Sequence, residues 1–344
     1  MRILTYAEAI SEALVIGLAR DENVFITGIG VDYPSGIFGT TTEAFNIFGK
    51  SRVFESPSME NAITGICIGA AAMGMRPVLV HNRNDFMFLA MDQMINLASK
   101  WRYMYGGNAG QVPIVVRGII GRGWGQGATH SQSLQATFAH FPGITVLMPA
   151  MPADAKGLLL SALKSPNPVV ILEHRSLFDI KGEVPEGEYQ VPLGKANILR
   201  EGTDISVACA SFMVIETLRA AEFLSEYGVS VEVIDLRSIK PLDEETILKS
   251  VKKTGKLMVA DTSWVAYGVG SEISALVAEK AFDSLTSPIV RIGLPDCPAP
   301  ASKALEDEFY PTANTLQKEI ARMLGRMDIT ANLNPAMDNF KGPY

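Results

Sequence analysis

Residues 55–81 read ESPSMENAITGICIGAAAMGMRPVLVH. The middle of this stretch predicts a helix around 61–75, and RPVLVH after it is a short apolar run of strand type. A helix feeding an apolar strand is part of a β-α-β unit, and the same alternation continues on both sides. NVFITG lies upstream. Downstream come a helix through FLAMDQMINLASKW, the run VPIVVRG, a helix after His130, ITVLMP, a helix through DAKGLLLSALK, and PVVILE. Strands this apolar, separated by helices, belong to a parallel sheet covered on both faces. The pattern lapses around 179–203 into a run rich in Gly, Pro and charge, which reads as a linker. It then restarts with DISVACA, a helix over 212–227, SVEVIDL, a helix from Asp243, KLMVAD, a helix from about 270, IVRIGL and a helix ending near Arg326. The expectation is two parallel-sheet α/β domains, 1–178 and 204–326, joined by a linker over 179–203 and followed by a tail over 327–344.

Composition narrows the function classes. The chain has 344 residues, 47% of them hydrophobic and 19% charged, enough apolar mass for two cores. A formal charge of −7 without Lys/Arg clusters argues against nucleic acid and against anionic membranes. Thr5 and Glu8 have capping-box spacing, and Ile10, Ala13, Leu14 and Leu18 share a helical face, so the N-terminal segment reads as a folded helix and not a signal peptide. No uncharged apolar run reaches the roughly 18 residues of a membrane span, and a cytoplasmic chain is expected. Cys67, Cys209 and Cys297 are scattered and odd in number, which indicates neither disulfides nor zinc.

Two constellations carry candidate chemistry. GRGWGQGATHSQS, Gly121–Ser133, places a glycine loop between a strand and a helix expected to open near His130. Gly123, Gly125 and Ala128 satisfy G-x-G-x-x-G/A, but no acidic residue follows at the end of the next strand and no G-K-[ST] occurs, so a dinucleotide turn is disfavoured. Glycines here permit close backbone approach. His130 is expected at a helix N-terminus, where the macrodipole favours a neutral imidazole that can act as donor or general acid. His140, between Phe138 and Phe141, reads as a packed histidine, and His81 and His174 end strands. In the second constellation Glu60 opens a helix whose face holds Gly65, Gly69, Ala70 to Ala72 and Gly74, small enough for another backbone to approach. Glu60 is either a complement to the helix dipole or an ionisable group at a site, and Glu55 rivals it.

The segments RVFESPSMENAITGICIGAAAMGMRPV, FLAMDQMINLASKWRYMYGG, VPIVVRG, HSQSLQATFAHFPGITVLMPAMPADAKGLL and GTDISVACASFMVIETLRAAEFLSEYGVSVEVIDLRSIKPLDEETI together closely resemble the beta subunit of the thiamine-diphosphate-dependent, decarboxylating component of 2-oxo acid dehydrogenase complexes. The similarity runs from about residue 4 to 326. It implies a transketolase-like pyrimidine-binding domain followed by a transketolase C-terminal domain. Glu60 falls on the family glutamate that hydrogen-bonds the aminopyrimidine ring and so starts deprotonation of the thiazolium. Phe86 falls on the aromatic position stacked against the pyrimidine, and His130 on the channel histidine that assists intermediates and acyl transfer to lipoyl. A structural potassium ion is implied at the backbone carbonyls of Ile114, Ala162, Leu163, Ser165 and Asn167, with Ser165 replacing a common acidic residue.

The chain contains no G-D-G, the start of the motif that holds Mg²⁺ and the diphosphate in such enzymes. The resemblance therefore implies an alpha subunit carrying that half, an α2β2 assembly, and a lipoyl acyltransferase component as acyl acceptor. Val80 and Arg83 depart from the glutamate and aromatic residue usual at their positions. The competing expectations are the C-terminal half of a split transketolase-like ketol transferase, and a non-catalytic assembly module. Retention of Glu60, Phe86 and His130 together argues against the module.

Overall fold

The computed structural model describes residues 2–122 and 125–330. Contacts divide the chain into two units, 1–121 with 137–193, and 122–136 with 194–344.

The first unit opens with β1 (Arg2–Thr5) and α1 (Tyr6–Arg20). Glu8 N–H donates to Thr5 Oγ1 at 3.1 Å while Thr5 N–H donates to the Glu8 carboxylate at 2.7 Å, so the capping box forms as spaced. Ile10, Ala13, Leu14 and Leu18 are buried, and α1 packs on α6 further along the chain. There follow β2 (Val24–Gly28), α2 (Thr42–Phe48), β3 (Val53–Glu55), α3 (Glu60–Ala72), β4 (Arg76–His81), α4 (Trp101–Met104), β5 (Val115–Ile120), α5 (Gln135–His140), β6 (Thr145–Leu147), α6 (Pro152–Lys164), β7 (Val169–His174) and β8 (Lys181–Val184). Six of the strands lie in the order β6-β7-β5-β4-β2-β3, every neighbouring pair parallel. β2, β5 and β7 are buried along their whole length, as expected of a sheet covered on both faces.

The second unit contains β9 (Asn197–Arg200), β10 (Ile205–Cys209), α7 (Phe212–Ser225), β11 (Val231–Asp235), β12 (Ser238–Lys240), α8 (Glu244–Thr254), β13 (Leu257–Trp264), α9 (Val269–Lys280), β14 (Val290–Leu294), α10 (Lys303–Phe309), α11 (Ala313–Met323) and α12 (Met327–Thr330). Its sheet runs β14-β13-β10-β11-β9, parallel except that β9 lies antiparallel on β11.

Three local expectations change. The 179–203 segment is not bare linker: β8 pairs with β1, and β9 joins the second sheet. Polar, glycine-rich composition hid two short edge strands, which need no apolar run because one side of each is open. The helix expected through FLAMDQMINLASKW is a 3₁₀ segment Asn84–Ala90 followed by π-helical Asp92–Ala98; Ser99 N–H reaches back five residues to Met94 O at 2.9 Å. The expected tail over 327–344 begins with α12, and its residues 331–344 lie outside the described residues, as do Gly123 and Trp124 of the glycine loop.

Candidate active site

The strands of a parallel sheet present ligands at their carboxyl ends, and in the first unit this edge is formed by Gly28, Glu55, His81, Ile120 and His174. α3 starts there, directly after β3. Its first residue is Glu60, preceded by Met59, which places no side chain on the helix end. The first-turn N–H groups thus face outward around a half-buried carboxylate, and among the described residues that carboxylate has no hydrogen-bond partner. The rival Glu55 is committed to the fold: its carboxylate accepts Gly30 N–H at 2.7 Å, tying β3 to the turn after β2. Burial, with Asp32 beside it, raises its pKa above the usual carboxylate range.

Phe86 sits in the 3₁₀ segment after β4, a segment that packs against α3, and its ring is 38% exposed. Two neighbouring elements therefore bring an unpartnered carboxylate and a part-exposed aromatic residue to the same edge. That pair fits a heteroaromatic ring with a protonatable nitrogen, which would stack on one and hydrogen-bond to the other. Just behind them the edge is built of buried polar groups. Arg83 Nη1 donates to Gly121 O at 3.1 Å. Gly121 has φ +80°, and a Cβ there would fall 2.1 Å from His174 Nε2. His81 is buried, which lowers its pKa to about 4 and keeps the ring neutral. Burial also pushes the Cys67 thiol of α3 up to about 12, leaving it inert at neutral pH.

His130 is not at a helix N-terminus. It lies in a bend, five residues before α5 begins at Gln135, because Ser131 to Leu134 are irregular chain between the loop and the helix, with Ser131, Ser133 and Leu134 buried. The macrodipole acts only within the first turn and so does not reach it. Its Nδ1 is instead 3.0 Å from Thr129 Oγ1. By its contacts His130 belongs to the second unit, whereas Glu60 and Phe86 belong to the first.

The five carbonyls implied for potassium already accept hydrogen bonds within the chain. Ile114 O accepts Val169 N–H at 2.9 Å and Ala162 O accepts Ser165 N–H at 3.0 Å. Asn167 O accepts the Ser165 hydroxyl at 2.9 Å. Arg76 Nη1 donates to Leu163 O at 2.9 Å and to Ser165 O at 3.4 Å. The guanidinium, paired through Nε with Asp21 at 3.3 Å, already brings positive charge to this corner. An entering cation would meet donors and a like charge. Among the described residues no group of three or more His, Cys, Asp or Glu side chains could hold a metal ion, and no helix is long and apolar enough to cross a membrane.

A deeply buried charge pair of the first unit escaped the sequence reading. Arg117 of β5 and Glu173 of β7, with side chains 1% and 2% exposed, form a two-pronged ion pair at 2.7 and 2.8 Å. Arg117 Nη2 also holds Thr40 Oγ1 at 3.2 Å. The available signal was a lone charge inside each of two apolar strand runs, VPIVVRG and PVVILE.

The open face of α3 is apolar. Ile66 is 65% and Met73 86% exposed, and a Cβ on Gly69 would meet nothing within 4 Å, whereas Gly65 is covered by Gln93. Leu89 and Tyr103 extend this exposed surface on the first unit.

Residues 3–181 match the transketolase pyrimidine-binding domain, and residues 194–316 match the transketolase C-terminal domain. The chain is 40% identical over 336 residues to the beta subunit of the acetoin:2,6-dichlorophenolindophenol oxidoreductase of Bacillus subtilis, covering 94% of this chain and 98% of that one. It is 40% identical to the 2-oxoisovalerate dehydrogenase beta subunit of the same organism (90% and 95% covered). It is 42% identical to the mitochondrial pyruvate dehydrogenase E1 beta subunit of Dictyostelium discoideum (88% and 86% covered). Among solved structures, a split-gene transketolase described as an inactive beta4 tetramer superposes with a TM-score of 0.76 over 94% of this chain and 98% of that one, at 22% identity, a likeness of fold.

Proposed function

The chain belongs to the transketolase-like family of 2-oxo acid dehydrogenase E1 beta subunits, and from that premise we propose that it works with an alpha subunit in thiamine-diphosphate-dependent decarboxylation of a 2-oxo acid, the acyl group passing to a lipoyl acyltransferase component. The observation that carries this is the unpartnered Glu60 carboxylate at the start of α3, with the part-exposed Phe86 in the 3₁₀ segment packed against that helix. Identities of 40% to the beta subunits, against 22% to the split transketolase, favour this over ketol transfer.

Thiamine diphosphate, when bound, supplies the nucleophilic carbon that attacks the 2-oxo group and the sink for the electron pair released with CO₂. Phe86 would hold the pyrimidine by stacking. Glu60 would hold a proton at the ring nitrogen facing it, a task for which a half-buried carboxylate near a helix N-terminus is suited. His130 would donate or accept a proton on the acyl-transfer side of the reaction. Mg²⁺ and the diphosphate are assigned to the alpha chain, because this chain has no G-D-G motif. The exposed Ile66, Met73 and Leu89 support assembly, which we propose to be α2β2. The proposed compartment is the cytoplasm.

Proton–deuterium exchange at the cofactor's thiazolium carbon, measured in the complex with its alpha subunit, tests the assignment. Glu60→Gln should slow exchange by about 10²–10⁴-fold. His130→Ala should leave exchange intact and slow transfer to a lipoyl domain. Wild-type exchange in Glu60→Gln, with loss of exchange in His130→Ala, would reverse the roles.

A further inference from the structure

The loop between β5 and α5 starts and ends in elements of the first unit's sequence, yet residues 122–136 make their contacts in the second unit. At its entry Arg122 is buried, with its guanidinium carbon 4.6 Å over the Tyr310 ring and the Glu306 carboxylate nearby. Glu306, buried on α10, also accepts the Gly125 N–H. In the middle, Gly125 and Gly127 adopt φ of +62° and +63°, and a Cβ on Gly127 would come within 3.4 Å of Ala301 Cβ. At the exit, Gln135 Nε2 donates to Asp261 Oδ1 at 2.5 Å, and the same oxygen accepts Thr262 N–H at 2.8 Å. Gln135 and Asp261 are both buried. His130 lies midway between Gly125 and Gln135 in the sequence, so a buried carboxylate ties the chain down on each side of it.

Resting on the role of His130 given above, we propose that Asp261 and Glu306 are positioning residues that hold the histidine's loop in its working geometry. A glycine-rich segment has many backbone states to lose, and a misplacement of about 1 Å can cost on the order of 10²-fold in rate. Hydrogen bonds to carboxylates are among the stronger ties available to a loop. They act here on the backbone and on Gln135. Gly125 and Gly127 are needed because the loop passes within contact distance of Ala301 with positive φ.

The test uses the complex assembled with its alpha subunit. Amide hydrogen exchange of residues 125–134 should quicken about ten- to a hundredfold in Asp261→Leu and in Gln135→Leu, the range expected on losing one hydrogen bond to a charged group. It should return toward wild type in Asp261→Asn, which keeps an acceptor for Gln135. With pyruvate or 2-oxoisovalerate as substrate and a lipoyl domain as acceptor, the two Leu variants should lose at least tenfold in kcat with KM for the 2-oxo acid unchanged, and thiazolium exchange should stay normal. Because Gln135→Leu leaves Asp261 in place, it stands in should Asp261→Leu fail to fold. Unchanged amide exchange in the loop overturns the proposal. So does quickened exchange with unimpaired acyl transfer while His130→Ala itself is slow. If His130→Ala transfers acyl groups at the wild-type rate, it is the role of His130 that falls, and the anchoring is still decided by amide exchange.

Discussion

Replacing Glu173 by Ala tests how far the first unit depends on one ion pair. Arg117 and Glu173 lie diagonally across the parallel β5–β7 pair, joined by two hydrogen bonds of 2.7 and 2.8 Å, with side chains 1% and 2% exposed. A surface pair of this kind would contribute about 0–1 kcal/mol. Here removal of the carboxylate strands a guanidinium in the centre of a sheet buried on both faces, and breaking such a pair costs about 3–5 kcal/mol. Against a total stability of roughly 5–15 kcal/mol this is a large fraction. It corresponds to a fall in Tm of roughly 6–20 °C for a unit of this size. The pair itself need not be net stabilising: the double replacement Arg117→Met with Glu173→Leu should recover most of the loss, because no charge is then left without compensation. Calorimetry of wild type, Arg117→Met, Glu173→Leu and the double variant, each assembled with alpha, gives the coupling directly. A Tm within about 2 °C of wild type in Glu173→Ala, where the single loss should be largest, would show that solvent or another group compensates Arg117 and would refute the reasoning.

Exchanging potassium for choline at constant ionic strength should leave the Tm unchanged, since Arg76 already serves the Leu163 and Ser165 carbonyls; a specifically bound ion at a hundred times its Kd would add about 2.7 kcal/mol and show as a clear rise. Gly121→Ala should lower the urea midpoint, as φ +80° alone costs an L-residue roughly 1–2 kcal/mol and the new Cβ must displace the His174 ring; an equal midpoint would contradict the packing. His81 and Asp261 should give pH slopes of opposite sign. The buried His81 titrates near 4 when folded and 6.5 when unfolded, so the unfolded chain binds the extra proton between these values and stability falls as pH drops through them, by roughly 3 kcal/mol in all. Asp261 is raised by burial to about 6 from 3.8, so the folded chain binds the extra proton and stability falls as pH rises through that window. His81→Asn should flatten the first slope and Asp261→Asn the second, measured by chemical denaturation between pH 4 and 7; slopes unaffected by either substitution would show that other groups set them.

The parallel sheets were legible because their strands are buried on both faces and so appear as largely apolar runs, VPIVVRG and PVVILE among them. The α1 start was legible through a capping box, which is local chemistry. Glu60 at the head of α3 could be located from sequence, but its separation from the rival Glu55 could not, because that depends on Gly30 N–H arriving from the turn after β2. His130 was placed on a helix it does not join, since nothing in SQSL announces four residues of irregular chain before Gln135. The π-helical Asp92–Ala98 escaped for a related reason: its composition suits an ordinary α-helix. The potassium carbonyls were the least legible, as backbone oxygens carry no side-chain signature and their partners are fixed only by tertiary contact.

The loop that carries His130 bears on how such chains can recombine. A domain swap between relatives, joining residues 2–193 of one to the remainder of another, would look clean by sequence, with the crossover in a polar stretch. It would nonetheless separate Arg122, Gly125 and Gln135 from the Glu306, Tyr310 and Asp261 selected alongside them. Hybrids of that kind should fold and assemble yet turn over poorly. Exchanging 122–136 together with the second unit should return activity, which makes this loop, and not the interdomain crossover, the natural seam for inheritance and for engineering.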